Sequence, residues 1–399
     1  MKNLPQRFYS LDVLRGLAAL IVVLFHWQNF FTYKYEYPRL TLLPLHQILA
    51  PFYTSGGRAV DLFFCLSGFI FFWLYSEKIR SQSISAKEFG VLRFSRLYPL
   101  HLVTLVLVAL GQVVMCLTYG SSFVYRNNDA FHYVIQLFFA SALTANEWQN
   151  NSFNGPNWSV SVEIFLYGLF FIVCRCKCIR WWQILAYIAV GEYWVVHHGH
   201  YIGFARGVLS FFIGGFSFHI FVGLWNLRLS NSVYTVMGCA VLLLWVLIPL
   251  EVANSYLVST YESVFAHQHL EIFKIIGKGV YRFSQGAYEL VLFPLTIILL
   301  ALVETRRGTL GRRFAILGDI SYSTYLLHFP LQILFMIAVF AVGATPGFFS
   351  SVWGLPIFFA VLIPISIGSH NIFERPAQSS LRCHLLQSGK PDALVAKVS

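Results

Sequence analysis

An arginine and a histidine stand eleven positions apart in the first long apolar segment, "RGLAALIVVLFH", which runs from Arg15 to His26. Eleven positions are about three turns of an α-helix, so both side chains project from one face, roughly 16 Å apart along the axis. Asp12 can pair with Arg15. An ionisable group in a bilayer costs about 2.5–3.5 kcal/mol even on a lenient scale. Because a histidine pKa of about 6.5 suits proton transfer, we interpret His26 as a general base; a purely structural hydrogen bond is the alternative.

Two more arginines, Arg93 and Arg96, precede the third apolar segment in "LRFSRLYPLH". Residues three apart share a helical face, and each guanidinium can hold phosphate oxygens through two hydrogen bonds. The pair therefore predicts a polyphosphate site on the cytosolic side. Ordinary arginines that only set membrane topology are the alternative.

The segment "NWSVSVEIFLY" places Ser159, Glu163 and Tyr167 on one face of a predicted helix, with Trp158 suited to the membrane interface. We expect this face to lie in the outer half of the membrane. Glu163 is either a packing residue or an active carboxylate, and our interpretation is that it assists His26.

Polar residues also recur in the second and ninth apolar segments. Ser321, Tyr325 and His328 form a stripe with i, i+4, i+7 spacing, a pattern typical of a cavity lining or of a hydrogen-bonded bundle interior. Asp61 can pair with Arg58 or with a histidine, and the sequence leaves both open. The candidate substrate-binding residues come from these segments and from the start of the helix at Trp158: Asp61, Trp158, Ser159, Tyr325 and His328.

The elements that must position these groups are membrane-spanning helices of about 20 residues. The sequence predicts an all-α polytopic bundle, with a short interfacial helix at 130–147 and a polar cytoplasmic tail at 377–399. The ten predicted spans are 13–33, 58–76, 97–118, 159–174, 181–197, 203–223, 232–250, 285–303, 318–341 and 350–371.

Composition agrees with this class, since 57% of the 399 residues are hydrophobic and only 11% are charged. Most lysines and arginines fall in the loops that an N-in, C-in topology places in the cytosol. The basic residues of the cytosolic loops therefore explain the net charge of +11, and we expect no nucleic-acid partner. The run "CRCKC" lacks the paired spacing of a zinc site, so no metal is expected.

The motifs together resemble the integral-membrane acyltransferase-3 family over residues 8–376. They follow that family's order: "LDVLRGLAALIVVLFH", "AVDLFFCLSGF", "RLYPLH", "NWSVSVEIFLY", "ISYSTYLLH" and "FERP". By position, the resemblance implies that His26 is the essential histidine and Arg15 its companion. It also implies that Arg93 and Arg96 form the donor-side R-x-x-R element.

The resemblance implies an enzyme whose membrane acyltransferase domain covers 1–376. It would move an acyl group, commonly acetyl from acetyl-CoA, to a hydroxyl of a cell-surface carbohydrate or lipid-linked glycan. Its partners would be cytosolic acyl-CoA, an outer glycan acceptor and the lipid bilayer of the inner (plasma) membrane. One departure is that many members carry two acidic residues where this chain has Glu163 and Ile164.

A proton-coupled exporter of a glycan or lipid precursor is the rival function, because intramembrane His, Asp and Glu also serve proton relays. The sequence shows no internal repeat, which such transporters often contain. The enzyme interpretation is therefore favoured.

Overall fold

The computed structural model describes residues 5–32, 40–143, 151–198, 203–265 and 271–386. Within these ranges the chain is helical and contains no strand, as the sequence predicts. The helices of the first half are α1 Tyr9–Phe25, α2 His46–Ser55, α3 Ala59–Leu74, α4 Ser76–Arg80, α5 Ala86–Tyr119, α6 Ala130–Leu137, α7 Trp158–Arg175, α8 Trp181–His198 and α9 Gly203–Asn226. Those of the second half are α10 Asn231–Asn254, α11 Tyr256–Phe265, α12 Glu271–Ala287, α13 Phe293–Arg307, α14 Ile316–Asp319, α15 Ser321–Ala341, α16 Gly354–Gly368 and α17 Arg375–Leu386.

Nine helical segments of the described chain are long and apolar enough to cross a membrane. They correspond to nine of the ten predicted spans, and the tenth, 181–197, forms α8. The buried Gly191 of α8 packs against the backbone of Leu209 in α9, while Trp182 and His219 line one cavity at the other end of this helix pair. α8 thus runs antiparallel to α9 over its length, as a tenth crossing requires. The N-in, C-in orientation stays a prediction.

Helices α3 and α9 approach closely because each has a glycine at the crossing. A Cβ atom at Gly68 would lie 1.9 Å from the Phe211 carbonyl oxygen, and one at Gly214 would lie 1.9 Å from the Cys65 carbonyl oxygen. Small residues permit such backbone contact between membrane helices. Side chains that begin on α3 can therefore reach α9 directly.

The N-terminal end of α1 is held by a buried carboxylate from α13. Glu304 accepts hydrogen bonds from the backbone N–H groups of Tyr9 and Ser10 at 2.9 and 2.8 Å, and from the Ser10 hydroxyl at 2.6 Å. The first N–H groups of a helix have no partner within it and carry partial positive charge, which an anion stabilises. Glu304 thereby fixes the helix that carries Arg15 and His26.

Two regions differ from the sequence prediction. The predicted outer loop after 250 contains the helical hairpin α11–α12, which sequence reasoning missed because charged residues interrupt its apolar stripe. The predicted helix at 130–147 is shorter, ending at Leu137, and 144–150 lie outside the described residues.

The C-terminal region also differs, since Pro376 does not end the last helix. The backbone widens to a π-helical turn at Ser369–Glu374 and continues directly as α17, so Pro376 lies inside a continuous helix just after the widened turn. Arg382 of α17 donates to the Ser95 hydroxyl of α5 at 3.2 Å. The rest of the predicted tail, 387–399, lies outside the described residues.

Candidate active site

Two cavities meet inside the helical body. The first, about 310 Å³ and here called the histidine pocket, is lined by residues that include Val22, His26, Asp61, Tyr125, Trp158 and Arg206. The second, about 140 Å³ and here called the arginine pocket, is lined by residues that include Arg15, Ser67, Arg93, Arg96, Glu163 and Tyr322. Val60 and Tyr325 line both cavities and are here called the shared wall.

His26 lies where α1 tightens into the 3₁₀ turn His26–Phe30, and it is 8% exposed. Its Nδ1 atom is 3.1 Å from Nε2 of His328 on α15. The Gln332 amide donates to the His26 carbonyl oxygen at 2.9 Å. Both the ring and the backbone of His26 are therefore held by α15.

These partners fix which ring nitrogens carry protons. Nδ1 of His328 contacts the Tyr325 carbonyl oxygen, which can only accept, so this nitrogen is the donor. Nε2 of a neutral His328 is then an acceptor, and Nδ1 of His26 must donate to it. The basic nitrogen of His26 is therefore Nε2. A nitrogen in this state can take a proton from a hydroxyl in the histidine pocket.

His328 itself is fully buried and lines neither pocket. Both of its ring nitrogens are engaged within the protein. A substrate would have to displace one of these contacts to reach the His328 ring, and substrate binding by His328 stays a prediction. In the present arrangement His328 holds the His26 ring.

Asp61 forms an ion pair that the sequence had left open. Its carboxylate accepts two hydrogen bonds from the Arg206 guanidinium, at 2.7 and 3.0 Å, and its partner is thus neither Arg58 nor a histidine. Arg58 lies 3.4 Å from Glu289 instead. Arg206 also stacks over Trp158, with 5.6 Å between the guanidinium carbon and the ring centroid. This side of the histidine pocket therefore combines an aromatic face with a charge-compensated ion pair.

Arg15 is tied to both neighbouring helices at the arginine pocket. The predicted pairing with Asp12 is confirmed at 3.1 Å. The guanidinium also donates to the Ser321 hydroxyl at 3.0 Å and to the Gly318 carbonyl at 2.9 Å. Arg15 thus contributes positive charge to a cavity different from the one that His26 lines.

Arg93 and Arg96 differ in their surroundings although both line the arginine pocket. Arg93 is 7% exposed, donates to the Tyr75 hydroxyl and lies 5.0 Å from the Phe71 ring centroid, while its Nε has no hydrogen-bond partner. The Arg96 side chain is exposed to the cavity. In the part of the chain that the structure describes, neither guanidinium has a carboxylate within ion-pair distance. Unpaired guanidiniums of this kind can bind phosphate oxygens.

Glu163 lies in the arginine pocket and not beside His26. Its carboxylate accepts from the Tyr167 hydroxyl and lies 3.4 Å from the Ser67 hydroxyl. Glu163 lies one turn of α7 beyond Ser159, and both residues line the arginine pocket but not the histidine pocket. The structure shows no contact between Glu163 and His26 among the described residues, so the assistance of Glu163 to His26 stays a prediction.

Ser159 and Tyr325 bind each other at the shared wall. The Tyr325 hydroxyl donates to the Pro156 carbonyl at 2.6 Å, so it accepts from the Ser159 hydroxyl at 2.7 Å. Both hydroxyl protons are used within the protein. These two predicted substrate-binding residues hold the wall in place while their side chains line the cavities.

Two residues of the site were missed from the sequence although each had a signal. Arg206 is an arginine inside the predicted span 203–223, and intramembrane charges mark functional sites by default. Gln332 extends the polar stripe by one helical turn beyond His328.

Tyr125 adds a neutral polar group to the histidine pocket from a loop outside the membrane-spanning helices. Burial, with a smaller contribution from Tyr325, raises the pKa of the Tyr125 phenol above its ordinary value. The phenol therefore keeps its proton at neutral pH and can donate a hydrogen bond to a ligand.

The model of the acyltransferase-3 family, described as "Acyltransferase domain", matches residues 8–370. "Protein 2 in picA locus" of Rhizobium radiobacter is 38% identical over 105 residues, which are 26% of this chain and 46% of that protein. "Acyltransferase MdmB" of Streptomyces mycarofaciens is 30% identical over 193 residues, which are 47% of this chain and 42% of that protein. The chain thus spans less than half the length of each curated relative. No solved structure matches.

Proposed function

The chain belongs to the membrane acyltransferase-3 family, and on that premise we propose that it is an O-acyltransferase. It would move an acyl group, in the first instance acetyl, from cytosolic acyl-CoA to a hydroxyl of a cell-surface carbohydrate or lipid-linked glycan. One observation carries the proposal. A cavity with unpaired guanidiniums and a cavity with a basic histidine nitrogen share the wall formed by Val60 and Tyr325.

The arginine pocket would hold the donor. Arg96 offers its guanidinium to the cavity, Arg93 has a buried Nε without a partner, and Arg15 adds a third positive charge. These groups fit the phosphates of a coenzyme A thioester. Bound there, the arm of the donor would reach the shared wall with its thioester carbonyl.

The histidine pocket would hold the acceptor. Trp158, over whose ring Arg206 lies, would offer the remaining indole surface to a sugar ring. The ion pair of Asp61 and Arg206 would offer hydrogen bonds to hydroxyl groups without requiring an anionic ligand. This combination supports a neutral, hydroxyl-rich acceptor.

In the proposed reaction, Nε2 of His26 takes the proton of the acceptor hydroxyl, and the hydroxyl oxygen attacks the thioester carbonyl carbon. The C–S bond then breaks, and the imidazolium returns the proton to the departing thiolate. His328 stabilises the imidazolium by accepting from Nδ1 of His26. Transfer in this scheme is direct, with no acyl-enzyme.

The apolar helices make the chain a multi-pass membrane protein, and we expect it in the inner (plasma) membrane. The arginine pocket lies toward the end of α1 at which Arg7 bridges Asp12 and Asp319. With the predicted topology this end faces the cytosol, where acyl-CoA is found.

The decisive experiment uses membranes that contain the parent protein, labelled acetyl-CoA and an acceptor polysaccharide. His26→Ala is expected to lower covalent transfer at least 100-fold at equal membrane content. His197→Ala is the matched control, because that histidine is exposed on α8 and lines neither pocket. Full transfer by the His26 variant would refute its role, whereas glycan export without covalent label would favour the exporter.

A further inference from the structure

We propose that the shared wall selects the acyl group by length and passes only short acyl chains, of which acetyl is the best donor. The inference rests on the proposed function, since it concerns how the acyl group moves from the arginine pocket to the histidine pocket. Among the residues that the structure describes, Val60 and Tyr325 are the two that line both cavities, so we expect an acyl group that meets an acceptor hydroxyl to reach them.

The Tyr325 ring cannot swing aside at low cost. Its hydroxyl is bound at 2.6 Å by the Pro156 carbonyl and at 2.7 Å by the Ser159 hydroxyl. The ring also meets Phe63 edge-on, with 5.8 Å between centroids and 80° between planes. A buried hydroxyl that loses its partners leaves unsatisfied groups on both elements, each at a cost of about 1–3 kcal/mol.

Val60, the other residue of the shared wall, is also constrained. It lies in the first turn of α3, is 5% exposed and directly precedes Asp61, whose carboxylate is fastened to Arg206 on α9. Movement of this turn would break the ion pair. The proposal places the acyl group between these two side chains, so its passage is limited by a branched aliphatic side chain and an aromatic ring that are both held in place.

The surroundings beyond the wall disfavour a longer apolar chain. Past the wall, a longer chain would meet His26 and the ion pair of Asp61 with Arg206. Apolar atoms placed against these charged groups would remove water from them without offering hydrogen bonds in return, which is unfavourable.

The test measures kcat/KM for acetyl-, propionyl-, butyryl- and hexanoyl-CoA with one acceptor and the full chain in membranes. Since a pocket discriminates one methylene by about tenfold or more, we expect the parent to lose at least 100-fold between acetyl and butyryl. Val60→Ala removes two methyl groups from the wall and should raise the butyryl-to-acetyl ratio at least tenfold.

Val160→Ala is the matched control, because Val160 is also a buried valine of the arginine pocket but does not line the histidine pocket. Its butyryl-to-acetyl ratio should stay within threefold of the parent's. Val60→Ile narrows the same opening and should lower the propionyl-to-acetyl ratio about tenfold, which tests the wall if the alanine variant does not accumulate.

Equal use of all four donors by the parent would overturn the inference while leaving the acyltransferase proposal intact. An equal shift in the Val60→Ala and Val160→Ala proteins would also overturn it, because selection would then reside in the arginine pocket. Transfer from none of the donors would refute the proposed function, and the inference with it.

Discussion

Replacing His328 by leucine is expected to lower kcat about 10- to 150-fold while the KM for acyl-CoA stays within twofold of the parent's. The structure gives the size of the effect. His328 accepts the hydrogen bond of His26 Nδ1, at 3.1 Å between nitrogens. Hydrogen bonds to a charged group contribute about 1.5–3 kcal/mol, and about 1.36 kcal/mol is a factor of ten in rate. We expect the loss to fall on kcat, because in the proposed reaction His26 is charged only once it has taken the acceptor proton.

The assay is initial-rate kinetics of acyl transfer at varied acyl-CoA and varied acceptor, normalised to folded protein. His328→Gln is the conservative variant, since its amide oxygen can accept from Nδ1 of His26 and should restore most of kcat. His101→Leu is the matched control. His101 is equally buried, has both ring nitrogens bonded and lines neither pocket, so its loss should lower stability with kcat per folded molecule intact.

Two results would refute the reasoning on His328. An unchanged kcat in the leucine variant would mean that His26 is oriented without this partner. A raised KM for the acceptor with kcat intact would mean that His328 contacts substrate after all.

Three further predictions concern the walls and the support of the site. Arg96→Ala should raise the KM for acyl-CoA about 10- to 150-fold with little change in kcat, as expected for the loss of a charged hydrogen bond to phosphate; an unchanged KM would remove Arg96 from the donor site. Arg206→Met should destabilise the protein by about 3–5 kcal/mol, measured by thermal unfolding in detergent, because it strands the buried Asp61 carboxylate; recovery in the double variant with Asp61→Leu is the control. Glu304→Gln should lower the melting temperature, since an amide has one acceptor oxygen for three donors; an unchanged melting temperature would show that α1 does not need this anion.

The helices could be predicted because long apolar segments in a chain with few charges have one stable solution in lipid, hydrogen-bonded internally. The depth order of Arg15 and His26 followed from helical rise alone. What could not be predicted is which helices face one another. The contact between His26 and His328 joins residues 302 positions apart, and no periodicity encodes it.

The same limit applies to individual side chains. Glu163 was expected to assist His26 because the sequence predicts it in the outer half of the membrane, whereas the structure places it beside Ser67 in the arginine pocket. Asp61 found its partner on α9 because glycines let α3 and α9 touch, a contact visible only in three dimensions. The α11–α12 hairpin was missed because its apolar residues lie on one face of each helix, so the hairpin has no continuous apolar segment of the kind that predicts a membrane span.

If the proposed function holds, helix α1 also sets a minimum length for the donor molecule. Arg15 lines one cavity and His26 the other, and the continuous helix between them sets their separation at roughly 16 Å. A donor whose phosphates bind at Arg15 and whose acyl carbon reacts at His26 must therefore carry a spacer that can span the distance between these two residues. Acyl phosphates, in which the acyl carbon is bonded directly to a phosphate oxygen, are far too short to span it, so the helix by itself would restrict the enzyme to long-armed carriers.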